Sequence, residues 1–129
     1  MKTIIPVAAF IVCATSVLAE NWPCWRGPRG DGSSLESGVP TFWNAHSNIA
    51  WKVAVPGEGH SSPIVWGRRL FLTSALKETQ QRLLLGFDRD TGRLLWQQTV
   101  VTAPLEAKNA ENSYASATPA TDGENVYVT

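Results

Sequence analysis

The chain has 129 residues, room for one ordinary domain. Eleven basic residues balance eleven acidic ones, and no basic stripe gathers along any stretch, which argues against a nucleic-acid partner. Two cysteines, Cys13 and Cys24, are too few for a disulfide framework, all the more because the first falls in a leader.

Residues 1–19 have the layout of a secretory signal peptide. Lys2 opens it, an apolar run from Ile4 to Leu18 follows, and Val17-Leu18-Ala19 puts small or aliphatic residues where a signal peptidase reads them. The run is too short and wrongly flanked for a membrane span, and no second apolar run of membrane length follows. Phe10-Ile11-Val12, ahead of Cys13, lacks the small residue of a lipoprotein signal. The mature chain is therefore expected to be exported, periplasmic or secreted, with no membrane span. Cys24, between Trp22 and Trp25, reads as a small buried hydrophobe.

Residues 20–48 carry Gly27, Pro28, Gly30 and Gly32, which forbid a helix and mark turns. Trp22, Trp25, Phe42 and Trp43 are a large aromatic area for such a segment. The expectation is an extended arm that lies across a larger body and pins itself with those rings.

Residues 49–129 read as strand material. Ile64–Trp66 and Leu70–Ser74 flank a polar turn at Gly67, which is a hairpin signal. Leu83–Phe87 forms a third run and Leu94–Thr99 a fourth, separated by Asp88-Arg89-Asp90-Thr91-Gly92, a turn whose side chains bond their own backbone. These four runs are expected to form one antiparallel sheet in chain order. No segment carries a helical stripe, so the predicted class is all-β.

Two internal echoes support a repeat. Ser62–Thr73 lies over Thr118–Thr129 at an offset of 56, with hydroxyl-Pro at the start, Gly in the turn and an aliphatic-aromatic-aliphatic-Thr run at the end. Ile49–Val55 lies over Leu94–Val100, bringing Trp51 onto Trp96. Four strands per repeat of about 45 residues is the sequence signature of a β-propeller blade, with an insertion near Thr102–Ser113 between copies. An outer-type strand at Ile49–Val55, ahead of any inner strand, would belong to the blade that closes a ring. On this reading the propeller is incomplete, about one blade plus the start of a second.

The run Gly86-Phe87-Asp88-Arg89-Asp90-Thr91-Gly92-Arg93-Leu94-Leu95-Trp96 resembles the pyrroloquinoline-quinone (PQQ) repeat, departing at Gly86 where the family has Ala. Asp88, Thr91, Gly92 and Trp96 are its structural positions. The likeness covers about residues 49–129 and implies a PQQ-like propeller of the BamB-like or quinoprotein alcohol-dehydrogenase-like kind. In the dehydrogenases, the resemblance implies PQQ, calcium, an Asp base and usually a pair of adjacent cysteines. This chain has no such pair.

Asp88-x-Asp90-x-Gly92 is not a calcium loop, because an EF-hand needs Gly at its sixth position and Glu at its twelfth. Gly57–Ser62 holds Glu58, His60 and Ser61, but without the Gly-x-Ser-x-Gly elbow of a hydrolase. Asn112, Tyr114 and Ser116 occupy the matching place before the second copy. These six residues form a candidate ligand site at a channel mouth, although loop backbone could equally use their polar groups. The expected function is an exported scaffold that binds other exported or envelope proteins, or a ligand. Neither catalysis nor a cofactor or metal is assigned to this segment. The competing expectation is a PQQ-dependent oxidoreductase with its active site in further blades.

Overall fold

The computed structural model describes residues 19–129, so all but the last residue of the expected leader lies outside the described residues. The strands are β1 (Ile64–Trp66), β2 (Arg69–Leu76), β3 (Gln81–Asp88), β4 (Leu94–Thr102), β5 (Ala120–Thr121) and β6 (Val126–Tyr127). No helix occurs among the described residues. β1 to β4 form one antiparallel sheet in chain order, and β5 pairs with β6 in a separate hairpin. The all-β class and the sequential order of the four runs hold. β2 and β4 are longer than expected because each keeps a ladder partner to its end, Leu76 and Thr102 both facing Gln81.

Strand alternation sorts the side chains onto two apolar faces. One carries Ile64, Phe71 and Leu84, with Trp66 and Trp96 beside them, and Val126 and Val128 of the second copy pack against it. The other carries Leu83, Leu85 and Phe87, flanked by Leu70, Leu72 and Leu76. Both faces of β3 are covered, which is why its sequence is a continuous apolar run rather than an alternating one. Leu83, Leu85 and Phe87 are essentially inaccessible, and burying each contributes about 1.5–3 kcal/mol.

The turn after β3 follows its sequence chemistry. Asp88 Oδ1 accepts the amides of Asp90 and Thr91 at 3.1 and 2.9 Å and the Thr91 hydroxyl at 2.8 Å. The Thr91 hydroxyl is the main reason the Asp88 carboxyl sits below its ordinary range. Gly92 adopts a φ of 71°, which a side chain would resist. Its missing Cβ is also needed for packing, since that atom would lie 2.4 Å from the Trp51 ring. Trp51 Nε1 donates to the Arg89 carbonyl at 2.8 Å. Trp96 covers Gly86 in the same way and tilts against Phe71, with ring centroids 5.8 Å apart.

Ile49–Val55 has no ladder partner among the described residues, and Trp51 anchors it through the indole and the Asp88–Gly92 turn. One expectation is corrected. The arm does not pin itself with its aromatics, for Trp25, Phe42 and Trp43 are each more than 60% exposed. Its fastening is through the backbone. Trp22 and Val65 exchange both amide bonds at 2.8 and 2.9 Å, the Pro23 carbonyl accepts Thr121 N at 2.9 Å, and Asn21 Oδ1 accepts Gly67 N at 2.7 Å. The arm thereby joins β1 to β5. Cys24 is half-buried, with Sγ donating to the Gly27 carbonyl at 3.3 Å.

Candidate functional site

The chain enters β1 through residues 57–61 and enters the second copy through residues 112–117. These two stretches meet at the end of the sheet opposite the Gly67 and Asp88–Gly92 turns. His60 N and Ser61 N both donate to the Ala115 carbonyl at 3.0 Å, and Ser62 N donates to Thr118 Oγ1 at 3.1 Å. Thr73 Oγ1 on β2 donates to the Ala117 carbonyl at 2.9 Å. Glu58 bridges to Ala75 through its backbone in both directions, while the Ser74 hydroxyl donates to the Pro56 carbonyl. Repeat alignment had placed the two stretches at equivalent positions, and the fold makes them neighbours.

The six predicted residues do not form one cluster. Glu58, His60 and Asn112 line a cleft of about 270 Å³ together with Gly59, Ser113 and two lysines, Lys77 and Lys108. Tyr114 and Ser116 line a second, more apolar cavity of about 310 Å³, walled by Val100, Val101, Ala117 and Val128. Ser61 faces neither, because its hydroxyl accepts Thr73 N and donates to the Ser62 carbonyl, both at 3.2 Å. Ser116 is also engaged, bonding the Ser113 amide, carbonyl and hydroxyl at 3.1 Å each. For Ser61 and Ser116 the loop-backbone role is the one observed.

Tyr114 lines the second cavity and has two cations near its ring. The Arg82 guanidinium is 5.6 Å and the Lys108 ammonium 5.0 Å from the ring centroid, close enough for cation–π attraction. Arg82 is only 14% exposed and is held by the Ala103 carbonyl at 2.7 Å and Glu106 at 2.6 Å. Glu106 lies below its ordinary carboxyl range, through a hydrogen bond from its own backbone and through Arg82. Lys77 bonds Glu58 at 2.8 Å, which raises its ammonium above the ordinary lysine range. Both partners of that pair are nearly half exposed, so solvent leaves it little net energy.

Sequence reading missed Lys77, Arg82, Glu106 and Lys108. Glu106 and Lys108 sit in the stretch recognised only as an insertion, and Lys77 in a turn with no motif. Their positions depend on how loops fold back, which no spacing encodes. The cleft offers two ammonium groups, one carboxylate, an imidazole and one amide side chain. Calcium wants six to eight oxygen ligands, whereas Glu58 is already paired to Lys77 and its neighbours are His60, Lys108 and Asn112. These residues do not fit that ion, and no step through a metal-bound quinone is derived. Among the described residues, no three His, Cys, Asp or Glu side chains gather to hold a metal, and no helix is long and apolar enough to cross a membrane. The chain matches no protein-family model, no curated protein and no solved structure.

Proposed function

We propose that this chain is the opening part of an exported PQQ-like β-propeller that works as a binding scaffold, with its ligand or protein partner taken at the cleft where residues 57–61 and 112–116 meet. The observation that carries the reading is that meeting itself. Two stretches at equivalent positions of the repeat, each leading into an innermost strand, come together and leave Glu58, His60 and Asn112 solvent-facing beside Lys77 and Lys108.

The propeller reading is supported by the four-stranded sheet, by the second copy packing its valines on one face, and by Trp51 seated on the Asp88–Gly92 turn. Scaffold rather than enzyme is favoured because Ser113, the hydroxyl lining the cleft, is engaged by the backbone amides of His60 and Ala115 and by Ser116 rather than by a basic side chain. Short carboxylates, sugars and oligopeptides should be tested against the exported protein by thermal shift, with a His60→Ala/Asn112→Ala variant in parallel. At least one class should stabilise the parent and leave the variant unmoved. If every class shifted both proteins equally, or neither, the cleft would not be the binding site.

A further inference from the structure

At the end of the sheet away from the cleft, the arm closes on itself around Glu20. The Glu20 carboxylate accepts from the two terminal nitrogens of the Arg29 guanidinium, and the Ser34 hydroxyl and Leu35 amide approach the same carboxylate at 3.4 Å. Arg29 also reaches the Ser33 carbonyl and hydroxyl. The Arg29 side chain is the chief reason the Glu20 carboxyl is held at about 2. Glu36 completes the ring from the other side, its Oε1 accepting the Glu20 backbone N–H at 2.8 Å. Among the described residues Glu36 has no lysine, arginine or histidine in salt-bridge contact. The cluster therefore sets three carboxylates, Glu20, Glu36 and Asp31, around the single Arg29 guanidinium, and Glu36 is the one that no cation meets among the described residues.

A cation for Glu36 has a source in the sequence. Glu20 is the residue that follows Val17-Leu18-Ala19, the expected end of the leader. We propose that cleavage between Ala19 and Glu20 turns the Glu20 amide nitrogen into an α-ammonium for which Glu36 is the built receptor, so that maturation itself fastens the arm. The step is a hydrolysis by a signal-peptidase-type protease. One water is consumed, the Ala19–Glu20 bond breaks, Ala19 leaves with the carboxylate, and the Glu20 amine takes up a proton at neutral pH. A hydrogen bond with only its acceptor charged becomes one with both partners charged on the same two atoms, which strengthens it. The next residues, Asn21, Trp22 and Pro23, are those that bond Gly67, Val65 and Thr121. What holds Glu20 in place thus holds the segment that joins β1 to β5.

This inference rests on the leader reading and is independent of the cleft. The exported protein should be purified, its amino terminus read by intact mass, and its α-amine labelled with a limiting amine-reactive ester near pH 7.5. Label at the N-terminal peptide should be quantified apart from the lysines. A start at Glu20 is expected. Labelling there should be several-fold slower than in Glu36→Gln, because pairing with Glu36 keeps the amine protonated; the other charges of the cluster are the Glu20 carboxylate, Arg29 and, against Arg29, Asp31. Glu36 is exposed, so the substitution leaves the fold intact. A different first residue would overturn the processing site. A start at Glu20 with equal labelling in both proteins would overturn the receptor.

Discussion

The two aligned copies, residues 62–73 and 118–129, share a local code and reach different structures. Both open on a hydroxyl-Pro pair and both turn at a glycine, yet the first yields β1 and an eight-residue β2, while the second yields strands of two residues each. The difference follows from pairing. β2 has β3 along its whole length and β1 against its first three residues, whereas β6 pairs only with β5. Hairpins alone are marginal, and three or more strands with a covered face are needed to extend them.

The largest test of that contrast lies in the first copy's support. Phe87 on β3 is 1% exposed within the cluster formed with Leu83 and Leu85. Phe87→Ala should cost about 3–5 kcal/mol by urea denaturation. A loss near zero would mean that this face is not the core that extends β2.

Next come the two aligned turn glycines. An added Cβ at Gly67 meets nothing within 4 Å, while at Gly123 it would lie 2.5 Å from the Trp66 ring. Both have positive φ, 57° and 99°. Gly67→Ala should therefore cost about 1–2 kcal/mol, the left-handed penalty alone. Gly123→Ala adds overpacking and should cost about 2–3 kcal/mol, limited by local detachment of the short hairpin. Trp66 fluorescence should shift to the red in the second variant only. The reverse order would show that the copies are not joined through Trp66. A smaller effect is expected at Trp51→Phe, which keeps a ring on Gly92 but loses the bond to Arg89. About 1 kcal/mol should go, and no change would assign the anchoring to packing alone.

Much of the first copy was legible in the sequence, because its strands are decided by runs of apolar residues and its turns by side chains that bond locally. Asp88, Thr91 and Gly92 behave as their types dictate at that spacing. Ile49–Val55 has the composition of a strand, but a strand exists only where a ladder partner does, and among the described residues it has none. The arm misled, since its fastening runs through the backbone of Trp22 and Pro23, which carries no side-chain signature. At the site, three residues singled out from the sequence, Glu58, His60 and Asn112, line one cleft. The sequence could not show that Ser61 and Ser116 spend their hydroxyls on backbone, nor that an insertion returns Lys108 to the cleft.

The smallest expected effect concerns how the second copy holds its turn. Asp122 accepts the Tyr127 hydroxyl and the amides of Asn125 and Glu124, and these bonds hold its carboxyl well below the ordinary range. A carboxyl whose folded value is depressed contributes stability above its unfolded value of about 3.9, and that contribution fades as pH falls through the folded value. The group is fully exposed, so the effect should appear in the hairpin's local order rather than in global stability. Tyr127 ring signals in NMR spectra should stay dispersed at pH 4 and collapse only in stronger acid, while β2 and β3 amides remain protected. The same bond raises the Tyr127 phenol above its ordinary value, so Asp122→Asn should both return that ionisation to the usual tyrosine range and loosen the turn at neutral pH. If Tyr127 titrated identically in parent and variant, the Asp122 contact would not be what closes the second copy, and packing of Val126 and Val128 on the first sheet would carry it alone.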